Sequence, residues 1–318
     1  MTGDTRSTLA LEGTIGVALG SGAARGWAHV GVLRGLAESG IHPEVVCGTS
    51  IGAVVGAAYA ADALDAFERW VRRLDRRQVA AYVDVRLRGG LLRARKVFEA
   101  MATEIPDRAI ESLPHTFAAV ATDLVTGNEI WLRRGSLYAA LRASVALPGL
   151  VSPVRSEGRW LVDGGLVNPV PVSVCRALGA DTVIGVDLNT TLVGRRFRAP
   201  EPDAGPDRAD DTEGPPAGGL DNVRAALQRV AGDIRQRLGG ESPVPRDEIP
   251  SILDVVANSI NIMQIRVTRS RMAGDPPDIL VAPRLPNFGL FDFDRAEEAV
   301  EEGRRAVAHA LAAYRGGR

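Results

Sequence analysis

Cysteine and lysine are scarce in this chain of 318 residues, and neither sign of charge is in surplus. Only Cys47 and Cys175 are present, too few for a disulfide framework or a cysteine-ligated zinc site. Two cysteines so far apart fit a reduced, cytoplasmic setting. Thirty-eight basic residues against thirty-nine acidic ones give a net charge of -1, which leaves no electrostatic footprint for nucleic acid. Lys96 is the only lysine, a bias that a GC-rich coding genome explains. Long apolar runs are missing too: the longest, 51–61, falls well short of the ~20 residues that span a bilayer. Residues 1–13 lack the basic head and apolar stretch of a secretory signal. These absences predict a cytoplasmic protein that meets membrane, if at all, peripherally at its inner face.

What is present is an ordinary globular balance, 45% hydrophobic and 24% charged, with ample material for a core. Residues 14–19 form a short apolar run ending in a glycine turn, and 27–39 then carry Val30, Leu33 and Leu36 at helical spacing. A second buried strand lies within 43–48 and runs into a helix rich in alanine and glycine. Such alternation predicts an α/β fold with a largely parallel sheet. Residues 65–101 read as polar helix interrupted by a basic and apolar loop, 86–93. The segment 83–92, with Arg86, Arg88, Arg93, Arg95 and Lys96 in or near it, reads equally as a lid for anionic headgroups or as a solvated connection. Strands are expected at 116–122, 129–133, 159–162, 182–187 and 278–281, and helices at 221–238, 251–272 and 294–314. The segment 252–263, with Ile252, Val255, Val256, Ile260 and Met263, reads as core more readily than as a membrane anchor. Between 194 and 219 proline, glycine, aspartate and arginine replace any apolar period, which predicts a disordered insert.

Three short motifs carry chemistry. Gly48-Thr49-Ser50-Ile51-Gly52 joins a strand to a helix, and a serine on so sharp a turn crowds its neighbours at plus and minus two, where glycine removes the clash. The turn would present the Ser50 hydroxyl beside the amides that open the helix. Gly20-Ser21-Gly22-Ala23-Ala24-Arg25-Gly26 is an oxyanion hole or a phosphate cradle. A dinucleotide turn fits poorly, because three residues separate Gly22 from Gly26 and no acid closes the second strand. Asp163-Gly164-Gly165 follows a strand and in isolation reads as a hairpin turn. A reactive serine needs a base, however, and none of His29, His42, His115 and His309 sits in the order of a hydrolase triad, which leaves Asp163.

In this order the three motifs resemble the signature of patatin-like phospholipases. The resemblance extends through Ala143-Ser-Val-Ala-Leu-Pro-Gly149, Asn168-Pro-Val-Pro171 and Met272-Ala-Gly-Asp-Pro-Pro277, which are similar to the bacterial RssA-like branch and to the catalytic domain of neuropathy target esterase. It implies a three-layer α/β/α sandwich with a mainly parallel central sheet, spanning 14–314 around the 194–219 insert, with tails at 1–13 and 315–318. It implies a serine lipid acyl hydrolase acting on phospholipid, lysophospholipid or another fatty-acyl ester, with no cofactor and no metal. Ser50 would be the nucleophile and Asp163 the general base. The amides around Gly22 and Ala23 would form the oxyanion hole, with Arg25 bracing the loop and Gly20, Gly26, Gly48, Gly52, Gly164 and Gly165 supporting the turns. The chain has Ser21-Gly22-Ala23 where many members carry three glycines. A regulatory scaffold with little turnover and an acyltransferase stay open as alternatives.

Overall fold

Residues 11–82, 94–190 and 252–316 are described by the structure, a computed structural model. The first half supplies β1 (Ile15–Leu19), a 3-10 turn at Ala23–Trp27, α1 (Ala28–Glu38), β2 (Val45–Thr49), α2 (Ile51–Ala60), α3 (Leu64–Arg73), α4 (Arg76–Tyr82) and α5 (Ala94–Met101). Then come β3 (Thr116–Asp123), β4 (Glu129–Leu132), α6 (Leu137–Ser144), β5 (Val154–Ser156), β6 (Arg159–Asp163), a 3-10 turn at Gly164–Leu166, α7 (Val172–Ala177) and β7 (Thr182–Val186). The last elements are α8 (Ile252–Gly274), β8 (Ile279–Val281) and α9 (Ala296–Gly316).

The strands form one sheet in the order β5-β6-β3-β2-β1-β7-β8, with β4 also paired to β3. From β3 to β8 the neighbours run parallel, whereas β4, β5 and β6 join antiparallel. Both faces of the parallel part are covered, so its strands are apolar on both sides. Val17, Leu19, Val46, Phe117 and Ala119 pack toward α1, α2 and α9, and the alternate residues Ala18, Val45, Cys47, Ala118 and Val120 pack toward α7. This is the α/β/α sandwich. The chain leaves β1 for β2 on one side, and β7 flanks β1 on the other, which makes the carboxyl end of β1 a switch point where such sheets bind ligands.

The expected strands and long helices are present among the described residues, with ends that agree to within two residues. Three elements were not expected: α6, β5 and α7. All are short, and α7 is rich in β-branched residues behind Pro171, a pattern that favours strand. The reading of 252–263 as core is overturned. Val255 and Met263 are exposed, as is Ile262, and Ile260 is half-buried. Among the described residues of α8, the buried ones are Ile265 and the polar Gln264 and Thr268, further along the helix. The loop 83–92, the insert 194–219 and the helix expected at 221–238 lie outside the described residues.

Helices α1 and α9 approach closely enough for a backbone of one to touch the other. A Cβ on Gly31 would sit 1.8 Å from the Val300 carbonyl oxygen, whereas one on Gly35 would come no nearer than 3.1 Å, to a Val307 side-chain carbon. Gly31→Ala is therefore expected to destabilise the chain by about 1–3 kcal/mol, the usual range for overpacking, and Gly35→Ala by clearly less. Urea unfolding of the two variants measures the difference.

Candidate active site

Ser50 stands between β2 and α2 with φ 57° and ψ -124°, backbone angles that strain any residue except glycine. The neighbours at plus and minus two are what allow it. A Cβ on Gly48 would lie 2.4 Å from the amide nitrogen of Ala53, and one on Gly52 2.2 Å from the carbonyl oxygen of Leu19. The other glycines of the motifs, Gly20, Gly26, Gly164 and Gly165, also face neighbouring elements closer than a Cβ would permit.

The turn aims the Ser50 hydroxyl at Asp163. Ser50 Oγ donates to Asp163 Oδ2 at 2.6 Å, and the amide of Gly165 donates to Asp163 Oδ1 at 2.7 Å. Asp163 is buried, and its backbone is fixed on both sides: its amide donates to Ala146 O at 3.0 Å, and Thr122 Oγ1 donates to its carbonyl at 2.8 Å. Desolvation raises its pKa from 3.8 to about 6, opposed in part by the bonds from Ser50 and Gly165. The hydroxyl of Ser144 holds the other partner. Fully buried at the end of α6, it accepts the Ser50 amide at 2.9 Å and donates to Val120 O at 2.6 Å.

The glycine loop closes the site from the end of β1. The amides of Gly20, Ser21, Ala24 and Arg25 are held by Val186 O, Pro169 O, Leu290 O and Gly22 O. No acceptor among the described residues takes the amides of Gly22 and Ala23, which both border the space above Ser50. Ala23 adopts φ 50°, a left-handed conformation that glycine would adopt without strain. Arg25 is buried and donates through Nε to Gly22 O at 3.1 Å, bracing the loop from within. His29 is also buried, 2.7 Å from Gly20 O, and burial lowers its pKa to about 4. It serves as a packing residue of the loop, and it does not line the site.

Two compartments meet at Ser50. One has a volume of ≈ 180 Å³ and is walled by apolar side chains that include Trp27, Val54, Trp70, Phe98, Met101 and Phe293. The other is smaller, at ≈ 30 Å³, and adds Ser21, Asp163, Asn261 and Gln264. Among the described residues no group of three His, Cys, Asp or Glu side chains is placed to hold a metal, and no helix is long and apolar enough to cross a membrane.

The family model for patatin-like phospholipases matches residues 17–176, the stretch from β1 to α7 that carries Ser50 and Asp163. The chain belongs to the patatin-like phospholipase family. An uncharacterized NTE family protein of Mycobacterium tuberculosis (strain ATCC 25618 / H37Rv) is 34% identical over 332 residues, covering 94% of this chain and 92% of its own. A second such protein of that strain is 30% identical over 311 residues, 94% of this chain and 47% of its own. Lysophospholipase NTE1 of Mycosarcoma maydis is 36% identical over 187 residues, 56% of this chain and 10% of its own. Among solved structures, VipD from Legionella pneumophila aligns over 96% of this chain and 68% of its own, with 14% identity and a TM-score of 0.44. Membership of the patatin-like family makes lipid hydrolysis the class of activity.

Within this patatin-like site the structure brings together Ser50, Asp163, Gly22, Ala23 and Arg25 as the sequence led one to expect. Sequence reasoning missed the role of Ser144, although it quoted the segment that contains it, and missed Asn261 and Gln264 altogether. A small polar residue ahead of an apolar stretch is too common to point at a serine 94 positions away.

Two stability effects follow from these contacts. Ser144→Ala leaves the Ser50 amide and the Val120 carbonyl buried without partners, and is expected to lower stability by about 1–3 kcal/mol in urea unfolding. Asp163 gives the opposite sign at neutral pH. Because its pKa is raised in the folded chain, its contribution is complete below the unfolded value near 3.8 and is lost as pH rises through about 6. Asp163→Asn removes the charge and keeps an oxygen to accept from Gly165, with its amide donating to Ser50 Oγ in place of the bond the carboxylate accepts. Its melting temperature is expected to exceed that of the parent above pH 6 and to converge on it as the pH falls toward 4.

Proposed function

We propose that residues 14–314 form one patatin-like domain that hydrolyses fatty-acyl esters of phospholipid or lysophospholipid type through a Ser50–Asp163 dyad. The observation that carries the reading is the 2.6 Å bond from Ser50 Oγ to a buried carboxylate at the mouth of an apolar compartment that no histidine borders. The acyl chain lies in that compartment and places its carbonyl carbon against Ser50 Oγ. As Oγ attacks, its proton passes to Asp163 Oδ2, and the carbonyl oxygen becomes an oxyanion facing the amides of Gly22 and Ala23. The carbon–oxygen bond to the alcohol then breaks and the alcohol leaves with the proton from Asp163. Water enters, gives its proton to Asp163 as it attacks the acyl-enzyme, and releases the fatty acid and Ser50.

An ordinary aspartate is a poor base for a serine hydroxyl. The raised pKa of Asp163 narrows that gap and also requires the pH to exceed about 6 for the ionised form to predominate. A fluorophosphonate probe tests activation without a choice of substrate. Wild type is expected to be labelled at Ser50, at a rate that rises with pH through a midpoint near 6, and Ser50→Ala to lose the label. Asp163→Asn should be labelled about a hundredfold more slowly or worse. Folded wild type that takes no label would overturn the reading in favour of a binding role.

A further inference from the structure

The smaller compartment differs from the apolar one in what it offers, and the difference comes from α8, beyond the 17–176 match. Ile260, Asn261 and Gln264 lie on one face of that helix and form one wall of the space beside Ser50 and Asp163. Gln264 is 5% exposed. Its Oε1 accepts from Ser21 Oγ at 2.9 Å and faces Asn189 Nδ2 at 3.5 Å, which fixes the orientation of the carboxamide. Its Nε2 then lies over Gly165, where a Cβ would come within 2.4 Å of it, and within the same turn as Asp163. No acceptor among the described residues takes the two protons of Nε2, and no side chain among them pairs with the half-buried amide of Asn261. Buried amide donors without acceptors are costly unless a ligand or water satisfies them.

We propose that this compartment is the leaving-group subsite, in which the carboxamides of Gln264 and Asn261 bind a hydroxyl carried next to the ester on the departing alcohol. The inference rests on the dyad reading and adds to it the side of the ester to which each compartment belongs. The acyl chain occupies the apolar space, and a hydroxylated alcohol occupies the amide-lined one. A site built to hydrogen-bond a hydroxyl discriminates strongly against the analogue that lacks it, because its own polar groups are left unpaired.

The test compares two esters of the same acid, 1-octanoylglycerol and ethyl octanoate, in wild type, Gln264→Met and Asn261→Leu, alongside fluorophosphonate labelling of each. The readout is the ratio of kcat/KM for the glyceryl ester over the ethyl ester, which a general loss of activity does not move. Wild type is expected to favour the glyceryl ester at least about tenfold, and each variant that still labels at Ser50 to lower that ratio about tenfold. Asn261→Leu carries the test if Gln264→Met does not fold, since Asn261 makes no side-chain bond to a described residue that its loss would break. A labelled wild type without that preference, or variants whose ratio matches wild type, would overturn the subsite and leave the dyad standing. A wild type that takes no label would count against the hydrolase reading itself.

Discussion

One serine held at positive φ, with its hydroxyl against a buried carboxylate, dictates the rest of the site. Backbone in that region costs about 1–3 kcal/mol and persists only where its surroundings leave no alternative. Here the surroundings are specific. Gly48 lets β2 meet the first turn of α2, Gly52 lets that turn lie on the carbonyl of Leu19, and Ser144 takes the serine amide at 2.9 Å. The three-residue stretch from Ser144 to Ala146 therefore holds both partners, since its hydroxyl fixes Ser50 and its last carbonyl accepts the amide of Asp163. Helix α2 is almost wholly buried, so the elbow cannot relax by moving it.

The carboxylate has a conflict of its own. A base must be desolvated to bind a proton well near neutral pH, and the same desolvation destabilises its ionised form in the folded chain. The structure leaves Asp163 with two short bonds, from Ser50 Oγ and the Gly165 amide, and no cation among the described residues offsets the effect of burial. Arg25 is buried in the same loop, yet its charge acts on Asp187 at the end of β7 and its Nε is held by Gly22 O. Were that guanidinium turned toward Asp163, the carboxylate would be a weaker base and the serine a poorer nucleophile.

The parts of this arrangement visible in the sequence are those where one contact demands a small residue at a fixed spacing. Gly48 and Gly52 around Ser50, the run from Gly20 to Gly26, and Asp163-Gly164-Gly165 are local requirements of turns, and a local requirement leaves a local pattern. The layers and most of the sheet were legible for a similar reason, because apolar runs and helical spacing alternate along the chain. Ser144 was not legible as a partner of Ser50, because its function depends on α6 ending beside β3, a tertiary fact. Helix α8 misled, since Val255 and Met263 suggested a buried apolar face. The buried part of α8 lies further along and mixes Ile265 with the polar Gln264 and Thr268, so the apolar residues ahead of it do not mark the inside of the fold. An apolar period identifies a helix, but which face it buries depends on what lies opposite.

The two compartments draw differently on the chain. Residues up to α7 supply the serine, the aspartate, the loop amides and most of the apolar compartment, whereas α8 supplies the amide wall of the smaller one and the segment after β8 adds Leu290, Phe291 and Phe293. Leu290 borders both compartments, and its carbonyl accepts the amide of Ala24, so the later segment is anchored to the loop it encloses. A change in the walls can therefore alter the space beside Ser50 while the 2.6 Å bond to Asp163 is kept, provided the anchors at Leu290 and Ser21 hold. A change at Gly22, Ser50 or Asp163 has no such freedom, because a Cβ at Gly22 would meet Leu188 at 2.7 Å, Ser144 Oγ holds the amide of Ser50, and Ala146 O holds that of Asp163.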